Sequence, residues 1–218
     1  SGISQPQATL RFGTSARIVR ETLARFAVLD AGSARKRLTD AAFALDRESI
    51  ARILAGLFTA DGTVADYGGK SQYVSLDSVS LPLLEQVQRL LLGFGIKAKL
   101  YRNRRANGDR VAALPDGKGG SRDYPVQQLH SLRISRASRL LFEREIGFLP
   151  GSPKAEALTE LNRRVGAYND PLTDRLSSLD YVGEEAVFDL TEPATSHFVA
   201  NGLVVHNCSE YMFLDDTA

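Results

Sequence analysis

The chain has 218 residues, of which 43% are hydrophobic and 24% are charged, and its formal net charge is +1. This is the composition of an ordinary globular protein, so it excludes a fibrous or an intrinsically disordered chain. The one cysteine excludes an internal disulfide, and no apolar run reaches the roughly 20 residues that cross a bilayer, so we expect a cytoplasmic protein with no membrane partner.

The first half of the sequence predicts three helices and a strand. Residues 18–26 have helical apolar spacing. Asp46 is a good N-cap for a second long helix, which ends at Asp61-Gly62. The alternation over residues 73–77 predicts a strand, and Leu81–Leu92 then has the pattern of an amphipathic helix.

The second half alternates between turn-rich and β-forming segments. Residues 108–124 are rich in Gly, Asp and Pro, which indicates a loop or a long hairpin connection. A strand over residues 129–134 and a helix over residues 138–145 follow, and Pro153 lies in a segment that breaks the chain. Near the C-terminus, β-forming residues flank Asn201-Gly202, a pair that favours a hairpin because both residues accept positive φ. We therefore expect the last part of the chain to be all-β.

Charge is distributed unevenly along the sequence. Residues 97–144 hold twelve Lys and Arg against four Asp and Glu, whereas residues 168–218 hold ten Asp and Glu against Arg175 alone. A basic block of this density can attract a phosphate backbone, although a solvated charged face is the other interpretation. The candidate DNA contacts that we select from the block are Arg102, Arg104, Arg105 and Arg133.

Residues 54–62 read Leu-Ala-Gly-Leu-Phe-Thr-Ala-Asp-Gly and match the motif LAGLIDADG at seven of nine positions. Gly56 and Ala60 lie four apart on one helical face and are small enough for a partner helix to approach closely. Asp61 falls where the helix ends. There its carboxylate adds to the partial negative charge of the helix C-terminus and makes a good ligand for a hard cation such as Mg²⁺.

With residues 81–101 and 131–148 matching in order behind it, this segment resembles the LAGLIDADG homing endonucleases. The resemblance implies that two such helices pack side by side and that each gives its final acid to Mg²⁺-assisted cleavage of double-stranded DNA. It also implies that Lys36 stabilises developing charge. Only one motif is visible, so we expect this chain alone to be an incomplete nuclease. Taken alone, the nonapeptide would equally suit a buried helix that ends at a glycine.

The C-terminal segment resembles the last two splicing motifs of inteins. Residues 187–193 read Val-Phe-Asp-Leu-Thr-Glu-Pro, and residues 197–208 read His-Phe-Val-Ala-Asn-Gly-Leu-Val-Val-His-Asn-Cys. Asn207 can attack its own main-chain carbonyl with its carboxamide nitrogen, which closes a succinimide and breaks the bond to Cys208. His206, with His197 as a second candidate, can polarise the carbonyl and protonate the departing amine at neutral pH.

The remaining splicing chemistry also follows from the resemblance. As a thiolate, Cys208 attacks the upstream ester or thioester, and after Asn207 cyclises an S-to-N shift restores a peptide bond. Asp189 orients or deprotonates these nucleophiles, and no cofactor is needed. An N-terminal intein portion, in cis or in trans, must supply the upstream nucleophile and the second LAGLIDADG motif. Each residue alone could belong to an ordinary strand or turn; their order and spacing favour splicing.

Residues 208–218 read Cys-Ser-Glu-Tyr-Met-Phe-Leu-Asp-Asp-Thr-Ala and resemble the catalytic loop of adenosylcobalamin-dependent ribonucleotide reductases. The resemblance implies that after ligation Cys208 is the thiyl-radical cysteine and Glu210 its acidic partner. Adenosylcobalamin would then be a cofactor of the host enzyme only. An unrelated acidic linker is the alternative interpretation.

We therefore predict an α+β chain in four parts. Residues 1–35 end a first, truncated LAGLIDADG repeat, residues 36–167 form an αββαββ endonuclease unit, residues 168–207 are the all-β C-terminal part of a Hint splicing domain, and residues 208–218 belong to the host. The predicted function is protein splicing coupled to a homing endonuclease. The alternatives are a DNA-binding remnant that cleaves nothing, and a chain whose function is that of the host reductase.

Overall fold

A computed structural model of the chain describes residues 16–28, 32–69, 71–104, 111–115, 120–125, 127–166, 173, 175–186, 190, 192–200 and 203–206. Several predictions fall outside the described residues. They concern the end of a first repeat before residue 16, the Asn201-Gly202 turn, and the site residues Arg105, Asp189, Asn207, Cys208 and Glu210.

Helices and strands alternate along the central part of the chain, which confirms the α+β class. In chain order the elements are α1 (Arg17–Phe26), a 3-10 turn (Ser33–Arg35), α2 (Asp40–Phe43), α3 (Arg47–Asp61), β1 (Gly62–Asp66), β2 (Gln72–Ser78), α4 (Leu81–Leu92), β3 (Ala98–Tyr101), β4 (Val111–Pro115), β5 (Ser121–Pro125), β6 (His130–Ser135), α5 (Arg136–Glu145), α6 (Pro153–Arg164), β7 (His197–Ala200) and β8 (Leu203–His206). The helices predicted for residues 18–26, 46–61, 81–92 and 138–145 are confirmed.

Strands β1, β2, β6 and β3 form one antiparallel sheet in that order, while β4 pairs with β5 and β7 with β8. Leu76 of β2 lies opposite Leu132 of β6, which in turn lies opposite Leu100 of β3. One face of the sheet is apolar and packs against α4, where Leu84, Val87 and Leu91 are fully buried. This layer of helix on sheet contains the core, because strands with one apolar face must cover it.

Local chemistry sets the two ends of α3. At its start, the Asp46 side chain accepts a hydrogen bond from Ser49 N at 2.9 Å, as an N-cap residue does. At its end stands Gly62, where a Cβ atom would clash with the Phe58 carbonyl oxygen. Phe58 itself is fully buried, with its ring centroid 4.8 Å from that of Phe142. A phenylalanine at the fifth position of the motif is therefore a core residue.

No local pattern located α2, β1, β3 or α6, although the predicted αββαββ order includes the two strands. The two strands have five and four residues, which is too short to show a clear alternation. Pro153 does not break the chain: it starts α6, where a missing N–H is tolerated, and Ser152 caps the helix by accepting from Lys154 N. Residues 108–124, predicted as a loop or hairpin, contain β4 and most of β5. No helix in the described part of the chain is long and apolar enough to span a bilayer.

Candidate functional site

The sheet face opposite α4 is polar. Successive strand side chains point to opposite faces, so residues that alternate with the buried Val74, Leu76 and Leu132 must lie on the other side. We call this side the outer face; its residues include Tyr73, Ser75, Lys99, Tyr101, Ser131, Arg133 and Ser135. Ser75 and Ser131 are buried, so the two half-buried tyrosine rings and the cations are the groups that the outer face presents to solvent.

Arg133 lies at the centre of the outer face between two tyrosines. Its guanidinium carbon is 4.3 Å from the Tyr73 ring centroid and 4.7 Å from the Tyr101 ring centroid. Its Nε donates to Ser131 Oγ at 3.3 Å. A cation over an aromatic face is attracted by the ring quadrupole, so these contacts hold the side chain across three strands.

A cleft of about 690 Å³ opens beside Arg133 on the same face. Its cationic lining residues are Lys97, Lys99, Arg133, Arg136 and Arg139. No Asp or Glu lines it among the residues that the structure describes there. A concave surface lined by charge of one sign concentrates the opposite charge, which here would be anionic.

The other predicted arginines are placed differently. Arg102 Nη2 lies 2.8 Å from Glu85 Oε1 of α4, so this side chain pairs with the helical layer. Arg104 is exposed, with its guanidinium carbon 5.8 Å from the Tyr101 ring centroid. The structure thus brings Arg104 and Arg133 around one tyrosine and sets Arg102 apart from them.

The last turn of α3 is held by polar contacts. Lys154 Nζ of α6 donates to Thr59 O at 2.7 Å and to Ala60 O at 3.2 Å. Thr59 Oγ1 donates to Ala55 O at 2.7 Å and accepts from Leu149 N at 2.8 Å. Thr59, which departs from the motif, thus has a structural role, because its hydroxyl satisfies a loop N–H.

The acid and one small residue of the motif face solvent, while Gly56 is half-buried. Asp61 and Ala60 are exposed, and a Cβ atom built on Gly56 would meet nothing within 4 Å. No cluster of three or more His, Cys, Asp or Glu exists among the described residues. Mg²⁺ binds proteins through one or two carboxylates together with waters and phosphates, so Asp61 fits as one ligand of a site shared with a second acid. Bound there, the ion would stabilise charge on a phosphodiester.

Lys36 precedes the helical layer and is exposed. Its carbonyl oxygen accepts a hydrogen bond from Ser80 Oγ at 2.6 Å, and Ser80 is the N-cap of α4. The backbone at Lys36 is therefore fastened to the start of α4.

The two histidines predicted near the C-terminus face each other. In the antiparallel pair β7–β8, His197 lies directly opposite His206. Their ring centroids are 4.7 Å apart and the ring planes meet at 81°. Both side chains are exposed, and His206 immediately precedes Asn207 in the sequence.

Sequence reasoning missed four of the residues that contribute here. Tyr73 and Tyr101 were not singled out, although the alternation around Tyr73 was a signal for an exposed position. Lys154 gave none, because it lies in a helix that was not predicted. Glu192 accepts hydrogen bonds from Thr195 N and Ala194 N in the turn before β7, and it gave no signal because these contacts depend on the turn geometry.

Known proteins resemble parts of this chain. A family profile described as a LAGLIDADG-like domain matches residues 48–147. The ribonucleoside-diphosphate reductase NrdEB subunit alpha of Bacillus subtilis is 33% identical over 180 residues, which is 81% of this chain and 16% of that protein. The ribonucleoside-diphosphate reductase large subunit of Invertebrate iridescent virus 6 is 29% identical over 75% of this chain and 16% of its own length.

A third relative is an enzyme of another kind. The DNA polymerase of Thermococcus hydrothermalis is 31% identical over 202 residues, which is 87% of this chain and 11% of the polymerase. The chain thus spans less than a fifth of each of these relatives. Residues 48–147 thus match the profile of a LAGLIDADG-like domain, within a chain that is similar to short parts of two ribonucleoside-diphosphate reductase subunits and of a DNA polymerase.

Proposed function

We propose that this chain is the C-terminal portion of a self-splicing intein that carries a LAGLIDADG homing endonuclease module. The observation that carries the proposal is the register of β7 and β8, which sets His197 against His206 at the residue before Asn207 and Cys208. Two imidazoles at this position are suited to move protons at neutral pH, where asparagine cyclisation needs an acid and a base.

The distribution of relatives supports the same conclusion. A segment that covers 81% of this chain in a reductase and 87% in a DNA polymerase makes up only 16% and 11% of those proteins. Reductases and polymerases share neither substrate nor reaction. An element that inserts itself into unrelated host proteins accounts for the shared segment, whereas a host catalytic domain does not.

The splicing chemistry assigns a role to each junction residue. The Cys208 thiolate attacks the carbonyl carbon of the upstream ester or thioester, the bond to the upstream hydroxyl or thiol group breaks, and the N-terminal flank becomes a thioester of Cys208. Asn207 Nδ2 then attacks the Asn207 carbonyl carbon, the C–N bond to Cys208 breaks, and the proton lost by Nδ2 is balanced by the one gained by the departing amine. The His206 and His197 imidazoles carry this transfer. Asp189 orients the nucleophiles, and the reducing cytoplasm keeps the thiol available.

Exposed apolar side chains support the need for an upstream portion. Leu179 and Tyr181 are each 88% exposed, and Leu203 and Val204 of β8 are also exposed. Exposed apolar groups of this size in a folded chain indicate a surface that another segment covers. The N-terminal portion of the splicing domain, in cis or in trans, is the segment we propose.

In the endonuclease module the outer face of the sheet binds double-stranded DNA. Arg133, Arg104 and Arg105 contact the duplex, and Arg102 contributes less because it pairs with Glu85. Asp61 supplies one ligand for Mg²⁺, and the second acid comes from the LAGLIDADG helix of the N-terminal portion, which packs on the uncovered Gly56 and Ala60. Lys36 stabilises charge that develops during cleavage.

The host is proposed to be an adenosylcobalamin-dependent ribonucleotide reductase. This rests on residues 208–218, because the shared segment also occurs in a polymerase and so does not identify a host. After ligation Cys208 and Glu210 would complete the active site of that enzyme. The second candidate function is a DNA-binding remnant that cleaves nothing, which is favoured by the single visible motif.

Two experiments test these functions. A precursor that joins the upstream portion to this chain is incubated at neutral pH with a reductant, and we expect mass spectrometry to show a free peptide of residues 208–218 or the ligated host. Asn207→Ala should release no such peptide; release at the wild-type rate contradicts the splicing step.

For the endonuclease, the same precursor is incubated with Mg²⁺ and DNA carrying the uninterrupted host sequence. Cleavage that is lost in Asp61→Asn supports nuclease activity, and binding without cleavage supports the remnant.

A further inference from the structure

A single carboxylate organises the turn before β7. The Glu192 side chain accepts hydrogen bonds from Thr195 Oγ1 at 2.6 Å, from Thr195 N at 2.6 Å and from Ala194 N at 3.0 Å. The Glu192 main-chain oxygen also accepts from Ser196 N at 3.1 Å. The bonds from Thr195 and Ala194 lower the pKa of Glu192 to about 2, so this side chain is charged at any physiological pH.

This turn also fixes the imidazole ring of His197. Thr195 O lies 2.5 Å from His197 Nδ1. Because a carbonyl oxygen can only accept, Nδ1 carries the proton, and Nε2 is the basic nitrogen of the neutral ring. Ser196, between the two residues, has φ +56°, a left-handed conformation that a serine rarely adopts without support. The Glu192 bonds provide that support.

We propose that Glu192 is a positioning residue for cleavage at Asn207. It holds the turn over residues 192–196, so that the His197 ring lies against the His206 ring and presents Nε2 as the nitrogen that accepts a proton. The inference rests on the proposed splicing function. Glu192 touches no reacting atom and acts only through His197. Its removal should therefore change the tautomer of His197 and the rate of cyclisation together, while the rest of the chain stays folded.

The test uses the full chain together with its upstream portion. Glu192→Ala removes all three side-chain bonds that hold the turn, and we expect release of residues 208–218 to slow about tenfold. In ¹⁵N spectra of the imidazoles, His197 should change from the Nδ1–H tautomer to a mixture. Glu192→Asp should restore both properties, because an aspartate caps the same kind of turn. Glu185→Ala is the matched control, since Glu185 is exposed and the charge change is identical.

The possible outcomes are distinct. An unchanged rate in Glu192→Ala, or a slower rate with an unchanged His197 tautomer, overturns the positioning role and leaves splicing intact. An equal loss in Glu185→Ala also overturns it, because charge alone would then be responsible. If the wild-type precursor releases no peptide, the splicing proposal itself fails and the role of Glu192 fails with it.

Discussion

Replacement of Arg133 by alanine tests the outer face as the DNA interface. The side chain lies between the rings of Tyr73 and Tyr101 and lines the cationic cleft, so its loss removes one of five positive charges there. If the Arg133 side chain neutralises one phosphate, the slope of log affinity against log salt should become less steep by about 0.9 in the variant, and the affinity at low salt should fall by about tenfold. Loss of two cation–π contacts should also lower the free energy of unfolding by about 1–2 kcal/mol.

The assay is fluorescence anisotropy on the full chain with a labelled DNA duplex over a range of salt concentrations. Arg89→Ala is the matched control: Arg89 is exposed on α4, the layer that covers the opposite side of the sheet, and the charge change is the same. Urea denaturation of both variants separates loss of folding from loss of binding. Equal affinity and equal salt dependence for the two variants would show that DNA does not bind this face.

Four further outcomes follow from the structure. Phe58→Ala should lower the free energy of unfolding by about 3–5 kcal/mol in urea denaturation, since the ring is fully buried against Phe142; Leu203→Ala, at an exposed site, should change it little. Lys154→Met should cost about 1–2 kcal/mol by the same assay, because two carbonyls of α3 lose their donor, and an effect no larger than that of the exposed Arg163→Ala would contradict this. Arg139→Met should lower the free energy of unfolding by about 3 kcal/mol in urea denaturation, because Asn162 Oδ1 and two main-chain carbonyls lose the buried guanidinium that donates to them. The carboxyl of Glu192 contributes stability to its turn above its unfolded pKa of about 4.5 and loses it as pH falls through about 2; NMR titration should show that low midpoint, and Thr195→Val should raise it.

The parts of the fold that could be predicted were those encoded over long stretches of sequence. Leu81–Leu92 and the helix that ends at Asp61 have repeated apolar spacing and clear caps, so their bounds were evident. Strand β3 has four residues, and its place in the sheet depends on pairing with β6, about thirty positions further along the chain. A pattern within one short segment cannot specify such a pairing.

The candidate site divides in the same way. Asp61 and the histidine before Asn207 could be found because each lies in a contiguous motif. Arg133 was selected from the basic block, but its contacts with Tyr73 and Tyr101 could not be predicted, because three strands that are distant in sequence bring them together. Likewise, the role of Glu192 depends on a turn whose backbone adopts a positive φ at Ser196, which no spacing rule indicates.

Helix α6 determines how much of the chain is needed for an independently folding nuclease unit. The profile match stops at residue 147, yet Leu158 and Leu161 are 1% and 3% exposed, and Arg139 donates to Val165 O at 3.0 Å. A fragment truncated at residue 147 would open the interior to water and leave the carboxyl end of α3 without its lysine. Excision of this module for DNA-cleavage work should therefore retain the chain through Gly166.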